Sequence, residues 1–251
     1  MRVFAVSDLH VDYQQNRRWV SQISQWDYRN DILLCAGDIS QNMTYLGQVL
    51  ESLRARFREV FYVPGNHELW VTDRYHENSL ERFHRVLDMA IGCGVRVEPR
   101  SVEGISVVPL FAWYDFSFGE PSDHLRQAWV DFRACQWPEN FDAPSIARYF
   151  LALNQTHLRA YPQPVISLSH FVPRRDLLPG SEWGCSFLRP VLGTEEIEKQ
   201  IRQIGSTMHV YGHYHVNGRY QRDQVTYINN AFGYPQETHI TAKQLKCIFE
   251  N

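Results

Sequence analysis

Three short apolar segments near the start of the chain are each followed by polar residues, at nearly constant spacing. Ser7-Asp8-Leu9-His10 follows the first segment, Gly37-Asp38 the second and Gly65-Asn66-His67-Glu68 the third. Asp38 lies 30 positions after Asp8, and Asn66 lies 28 positions after Asp38, which matches a strand-helix-strand unit of roughly 30 residues. Because parallel strands joined in this way end at one edge of a sheet, the spacing predicts that these polar groups gather there.

The segments between these strands have the apolar spacing of helices, which predicts a βαβαβα arrangement for the first half of the chain. The predicted strands are Val3–Val6, Ile32–Ala36 and Val60–Val63, and the predicted helices are Arg17–Gln25, Tyr45–Phe57 and Arg74–Ile91. Gly92 and Gly94 are expected to end the third helix, because glycine is the usual residue after a helix C-terminus.

A second set of predicted strands follows: Val95–Val97, Ile105–Leu110, Val165–Ser169, Met208–Tyr211, Gly218–Gln221 and Val225–Asn229. The last two are expected to form a hairpin through Arg222-Asp223-Gln224. A helix over Ile197–Ile204 is predicted, with Thr194 as its N-cap. At 251 residues and without a Gly/Ser-rich or Pro-rich linker, the chain is predicted to be a single domain over 1–251. Its aromatic-rich part near 111–160 is predicted to be an inserted cap.

Two strands of this second set also end in histidines. His170 follows the strand at Val165–Ser169, and Gly212-His213-Tyr214-His215 follows Met208–Tyr211. With the three earlier segments, the predicted sheet edges carry seven candidate ligands: Asp8, His10, Asp38, Asn66, His170, His213 and His215. Carboxylate, amide and imidazole groups bind Mn, Fe, Zn and similar ions. Seven ligands exceed the need of one ion and fit two ions that share a carboxylate.

The order D-x-H, G-D, G-N-H-E, a lone His and G-H-x-H resembles the calcineurin-like metallophosphoesterases. Ile228-Asn229-Asn230-Ala231 is similar to the strand that follows the last motif in that family. The resemblance implies an α/β (α+β) fold, a four-layer α-β-β-α sandwich of two mixed β-sheets flanked by helices. The chain departs from the family in one position, because Ser169 precedes His170 where glycine is usual. The GDxxDRG form of the protein serine/threonine phosphatases is absent.

The resemblance also implies a ligand set and a reaction. One metal would be held by Asp8, His10 and His215, the other by Asn66, His170 and His213, and Asp38 would bridge them. A metal-bridged hydroxide would hydrolyse a phosphodiester or phosphomonoester, with His67 as the general acid, and Asp38 counts with His67 among the catalytic residues. Mn²⁺ is the expected ion, and Fe, Zn, Ni or Co would also suit these ligands. The G-N-H motif slightly favours phosphodiesters.

The substrate is expected to be a small or medium phosphorylated molecule. Asn66, Arg174 and Arg175 are candidate substrate-binding residues, since guanidinium groups pair well with phosphate. The aromatic stretch 111–137 has two interpretations, a packed insertion or a cap over the metals. Two alternatives remain, a non-catalytic interaction scaffold of the same fold and a nuclease. The net charge of −3 and a pI near 6.4 disfavour a nucleic-acid partner.

The cysteines indicate the compartment. Five scattered cysteines without a CxxC pair disfavour a disulfide framework and predict a reducing environment, the cytoplasm. No membrane association is predicted, and nothing in the sequence specifies an oligomeric state.

Overall fold

The first half of the chain forms the predicted parallel strands. The computed structural model describes residues 1–71, 77–178 and 186–250. Strands β1 (Arg2–Val6), β2 (Ile32–Ala36) and β3 (Glu59–Val63) are parallel neighbours. All five residues of β2 and of β3 are buried, which explains the uninterrupted apolar runs Ile32–Ala36 and Val60–Val63. A late strand, Lys246–Glu250, completes this four-stranded sheet by pairing antiparallel with β1.

Three helices connect and cover this sheet: α1 (Gln14–Ser21), α2 (Met43–Arg56) and α3 (Ser79–Gly92). Asn42 begins α2 by accepting hydrogen bonds from two backbone N–H groups, and Asn78 and Glu81 form a capping box at the start of α3. The predicted start of the third helix at Arg74 lies outside the described residues. Its predicted end is confirmed within one residue, because α3 ends at Gly92.

The second sheet has six strands in the order β4-β5-β6-β7-β9-β8. Their bounds are β4 (Arg100–Val102), β5 (Ile105–Pro109), β6 (Val165–Leu168), β7 (Met208–Tyr211), β8 (Gly218–Arg222) and β9 (Val225–Asn229). The four central strands are parallel, and β4 and β8 pair antiparallel at the edges. Both sheets are therefore mixed. The late strand of the first sheet, Lys246–Glu250, is β10 in chain order.

The two sheets pack face to face between layers of helices. Strand β2 lies against β7, and β3 lies against β5. One cluster of buried side chains includes both sheets and the inner faces of α2 and α3. A second cluster joins the outer face of the six-stranded sheet to helix α7 (Glu196–Gln203) through Ile197 and Ile201. The predicted sandwich of two mixed sheets flanked by helices is confirmed.

Some predicted elements were wrong in detail. Val95–Val97 is not a strand, because only an isolated bridge between Phe61 and Arg96 forms there. The hairpin turn is Asp223-Gln224 alone, with φ of 44° and 71°, and Arg222 belongs to β8. This positive φ at both central residues is the turn geometry that matches strand twist. Helix α7 begins at Glu196 and its N-cap is Glu195, one position after the predicted N-cap Thr194, whose hydroxyl accepts a hydrogen bond from the Glu196 N–H at 3.2 Å.

The segment after β5 carries three helices, α4 (Asp123–Ala128), α5 (Asp131–Ala134) and α6 (Ala143–Leu153). Its aromatic rings pack on one another and on the core: Trp113 contacts the rings of Trp137, Phe150 and Phe171. No helix among the described residues is both long enough and apolar enough to cross a membrane.

Candidate metal centre

The structure brings the seven predicted ligands together at the carboxyl ends of the strands. Three groups of side chains have ligand atoms within 4.8 Å of one another: Asp8, His10 and His215; His10, Asp38 and His67; Asp38, His170 and His213. Asn66 joins the third group, because its Oδ1 lies 3.1 Å from the Nε2 of His170. Loops that are far apart in the chain therefore form one cluster.

The first group is centred on His215. Its Nε2 lies 3.3 Å from Asp8 Oδ1 and 3.2 Å from the Nε2 of His10. Its Nδ1 lies 2.7 Å from the Oε2 of Glu237, which fixes the ring. Burial opposes a charge on His215, yet Asp8 and Glu237 raise its pKa to about 9.

Asp38 lies between the two groups. Its Oδ1 is 3.6 Å from His170 Nε2, and its Oδ2 is 4.0 Å from His10 Nε2, so each oxygen faces one group. Burial raises the pKa of this carboxyl, and the nearby Glu68 and Asp8 carboxylates raise it further. A cation on each side would offset that penalty, since an ion is the largest local charge in such a site.

The imidazoles of His170 and His213 provide a test of whether cations fit. The Nδ1 of His170 donates to the carbonyl oxygen of Ala36 at 2.8 Å, and the Nε2 of His213 donates to that of Val191 at 3.0 Å. Carbonyl oxygens only accept, so each neutral ring directs a lone pair inward. These inner nitrogens lie 3.2 Å apart with the Asn66 oxygen beside them, and burial lowers the pKa of both rings. Three acceptors in a buried space, with their outer atoms fixed, suit a divalent cation.

The loops adopt unusual backbone conformations to place these side chains. Asp8, His10, Asp38 and His213 all have positive φ, between 42° and 66°. Such conformations are costly for residues other than glycine and cluster at functional sites. Gly65 is required at its position because a Cβ there would collide with the Oδ1 of Asp38. The glycine of the G-N-H motif is therefore explained by close approach.

Glu68 fixes two of these loops to each other. Its buried carboxylate accepts hydrogen bonds from four backbone N–H groups, those of Asp38, Ile39, Ser40 and Gly65, at 2.5–3.1 Å. Burial raises the pKa of Glu68 to about 7, and these four donors limit the rise. The carboxylate thus joins the loop after β2 to the loop after β3.

His67 lies at the edge of the cluster, facing open space. Its Nε2 is 3.8 Å from Asp38 Oδ2, and its side chain is 14% exposed. The ring of Trp70 lies against it, with 3.7 Å between centroids. Burial lowers the pKa of His67 to about 3, and His170 and His215 act in the same direction. Burial therefore favours the neutral form of this ring.

Four residues around the cluster were missed by sequence reasoning. Glu237 binds His215, Tyr234 lies on the ring of His10 at 4.5 Å, and Trp70 lies on His67. Asp131 accepts a hydrogen bond from the Nδ2 of Asn66 at 2.8 Å. Glu237, Tyr234 and Asp131 lie away from the strand-end motifs, so the sequence carried no local signal for them. Trp70 lies three positions after His67 in the third motif segment, and its position in the chain was the only signal for it.

The two candidate arginines lie elsewhere. The guanidinium of Arg174 contacts the carboxylates of Asp176, Glu198 and Asp223 at 2.8–3.2 Å. Arg175 is exposed. Among the described residues, neither arginine lines the cavity beside the cluster.

That cavity has a volume of about 210 Å³ and two kinds of wall. Its polar side consists of ligand-cluster residues, including Asp38, Asn66 and His67. Its apolar side is formed by Trp129, Leu188, Leu192, Val216 and Ile240. A molecule bound here would have a polar group at the cluster and an apolar portion against the apolar lining residues.

A family model described as calcineurin-like phosphoesterase matches residues 1–217. The chain belongs to the calcineurin-like phosphoesterase family. The family resemblance predicted from the motifs is confirmed, and with it the predicted enzyme class, a metal-dependent phosphoric ester hydrolase. Membership and the clustered ligands support divalent metals as cofactors, without indicating which metal.

A curated protein and a solved structure, both named PptH and both from one organism, are similar to this chain over nearly its whole length. An "[Acyl-carrier-protein] phosphodiesterase PptH" from Mycobacterium tuberculosis is 26% identical over 263 residues, covering 94% of this chain and 78% of that protein. The crystal structure of phosphopantetheinyl hydrolase (PptH) from the same organism matches with a TM-score of 0.76 at 24% identity, covering 100% of this chain and 96% of that one. The shared fold extends beyond the motifs to the aromatic segment.

Proposed function

We propose that this protein is a phosphodiesterase that uses two divalent cations to release a group linked through phosphate to an acyl carrier protein. The observation that carries the two-cation part is the position of Asp38 between two ligand groups, with Oδ1 3.6 Å from the Nε2 of His170 and Oδ2 4.0 Å from the Nε2 of His10. The diester part is supported by the name of the relative from M. tuberculosis.

The proposed ligand assignment follows the two groups in the cluster. Asp8, His10 and His215 hold one ion, Asn66, His170 and His213 hold the other, and Asp38 is shared between them. When bound, the ions supply positive charge that acidifies a water molecule and offsets the negative charge of the phosphoryl group. We propose Mn²⁺, because oxygen and imidazole ligands without thiolate suit it.

His67 is the proposed proton donor to the departing oxygen. Its position at the edge of the cluster, beside Asp38 and lining the cavity, allows it to reach a bound ester. A phosphodiester anion beside the ring favours the protonated imidazole, which opposes the lowering of its pKa by burial. Of the three candidate substrate-binding residues, only Asn66 lines the cavity and is kept in this proposal.

The lining of the cavity suits a substrate that has an alkyl portion beside its phosphate. Its apolar wall offers Trp129, Leu188 and Val216 to an alkyl segment, next to the polar cluster that would receive phosphate. A phosphopantetheine arm has this character, and the name of the relative includes that group. This proposal replaces the expected small or medium phosphorylated molecule with a prosthetic group carried on a protein. We also propose the cytoplasm as its location, since the four described cysteines are free.

The test uses an acyl carrier protein that bears phosphopantetheine. Purified protein with measured metal content is incubated with it, and the carrier is followed by intact-mass spectrometry. We expect loss of the phosphopantetheine mass, with bis-p-nitrophenyl phosphate cleaved faster than p-nitrophenyl phosphate. Asp38→Asn is the matched control and is expected to be inactive with reduced metal content. An unchanged carrier and faster cleavage of the monoester, by metal-loaded protein, would overturn the proposal.

A further inference from the structure

We infer that Asp131, from the aromatic insertion, is a positioning residue that fixes the metal ligand Asn66 and the proton donor His67 together. The inference rests on the proposed function, because it assumes that both side chains work in the reaction. Asp131 begins α5 and has only 2% of its surface exposed. It lies 65 positions from Asn66 in the chain.

Three N–H groups from different parts of the site converge on this carboxylate. Its Oδ1 accepts from the Nδ2 of Asn66 at 2.8 Å and from the indole Nε1 of Trp70 at 2.6 Å. Its Oδ2 accepts from the indole Nε1 of Trp129 at 2.8 Å. An indole N–H is only a donor, so two of the three bonds require an acceptor at this position. The carboxylate fulfils that requirement for both indoles and for the amide at once.

The bond to Asn66 determines which atom of the amide faces the metal cluster. With Nδ2 held by Asp131, the Oδ1 of Asn66 is directed to the Nε2 of His170, 3.1 Å away. A flipped amide would place its oxygen against the carboxylate and its NH₂ group against the cluster. Only the observed orientation offers an oxygen ligand, so Asp131 selects the metal-binding orientation.

The bonds to the two indoles extend this control to the acid and to the cavity wall. The ring of Trp70 lies against His67 with 3.7 Å between centroids, and Trp129 lines the cavity and meets the ring of His213 edge-on at 5.8 Å. Fixing the indole N–H groups fixes the surfaces against which the two imidazoles rest. One side chain therefore positions a ligand, the acid and the wall.

Backbone bonds hold the insertion against the loop that carries these residues. The N–H of Val71 donates to the carbonyl of Ala134 at 2.8 Å, and the N–H of Ser79 donates to that of Gln136 at 2.7 Å. The segment that presents the carboxylate is thus attached to this loop by two backbone bonds directly after Asp131. The insertion therefore contributes to the site in two ways. Asp131 supports Asn66, and Trp129 lines the cavity.

The first test measures metal binding, without substrate, in Asp131→Asn. An asparagine there keeps one acceptor oxygen and places an NH₂ group against at least one of the three donors, so it holds the Nδ2 of Asn66 less firmly. We expect the affinity for one of two Mn²⁺ ions to fall by about 10–100-fold, as when an outer partner of a ligand is removed. In an Asn66→Ala background the same substitution should have almost no further effect, because its influence passes through Asn66. Equal losses in both backgrounds would overturn the inference.

The second test compares rates for two types of ester. A merely structural role of Asp131 would not change the two rates by different factors. At saturating Mn²⁺, where weaker metal binding does not contribute, Asp131→Asn should lower kcat more for esters with alkyl leaving groups than for nitrophenyl esters, since the acid is misplaced, while KM changes little. Asp142→Asn is the control, because that aspartate caps α6 in the same insertion. If Asp131→Asn fails to fold, Trp70→Phe serves instead, because it removes the indole N–H that donates to Asp131 and keeps an aromatic ring beside His67. A uniform decrease for all esters in the folded variant would contradict the inference.

The two proposals can fail separately. Wild-type protein that binds two ions, with Asp131→Asn binding them equally well, overturns the positioning role and leaves the proposed function standing. Wild-type protein that binds no ion overturns both.

Discussion

The Nδ1 atom of His215 lies 2.7 Å from the Oε2 atom of Glu237, so a carboxylate holds this imidazole with its other nitrogen toward Asp8. The same oxygen of Glu237 accepts from the N–H of Tyr234 at 2.7 Å. An outer carboxylate of this kind orients a histidine ligand and increases its basicity.

We predict that Glu237→Ala lowers the affinity of the first group for a divalent ion by about 10–100-fold, because His215 loses its orientation. Glu237→Gln should lose less, since its amide oxygen can still accept from the imidazole. Titration with Mn²⁺, monitored by calorimetry, measures the change. Glu195→Ala removes an exposed carboxylate and serves as the control. Unchanged affinity in Glu237→Ala would contradict the orienting role.

For His67→Ala we predict two ions per chain, as in the wild type, with slow cleavage of esters that have poor leaving groups. A general acid typically contributes about 10²–10⁴-fold, and p-nitrophenolate departs without needing a proton. Steady-state rates for alkyl and nitrophenyl diesters, with metal content measured on the same samples, provide the comparison. Equal slowing of both ester types would exclude His67 as the acid.

Glu68→Gln is predicted to destabilise the fold by about 1–3 kcal/mol, since at least one of the buried N–H groups loses its acceptor. The glutamine keeps one oxygen and places an NH₂ group against donors that now face Glu68. Urea unfolding of metal-loaded protein measures the loss. The control is Glu103→Gln, at an exposed ion pair with Arg58, which should change the unfolding free energy by about 1 kcal/mol or less. A loss no larger than that of the control would count against the role of Glu68.

The ligands were predictable because each directly follows a strand, so a short motif places it in the fold. The fold followed from the same alternation of buried strands and helices. Strand β10 was missed because only Ile248 in its five residues is buried. Val95–Val97 was wrongly predicted as a strand because apolar, β-branched residues also occur in buried irregular segments.

The residues behind the ligands could not be predicted in this way. Asp131 lies 65 positions from Asn66, and Glu237 lies 22 positions from His215, each in a segment without a strand-end motif. Their contacts depend on the path of a loop or insertion in three dimensions. An acidic residue beside aromatic residues in sequence has no distinguishing pattern until the indole N–H groups converge on it.

His209 offers a pH test that is separate from the metal ligands. Its ring is buried between the hydroxyl groups of Ser167 and Ser169, at 2.8 and 3.0 Å, and burial lowers its pKa to about 3. In the unfolded chain the imidazole of His209 is protonated near the ordinary histidine pKa of about 6.5. In the folded chain it is protonated only near pH 3. Between these values the unfolded state binds more protons, so stability falls as the pH is lowered.

We therefore compare the unfolding free energy of wild type and His209→Gln between pH 6.5 and 4.5. Over this range the unfolding free energy of the wild type should fall by about 2–3 kcal/mol more than that of the variant. The unfolded wild type binds one more proton than the folded state, which corresponds to about 1.36 kcal/mol per pH unit. Protonation of the metal ligands occurs in both proteins and cancels in the difference. Parallel curves would mean that His209 takes up its proton equally in both states, which its enclosure between two hydroxyl groups and the surrounding core argues against.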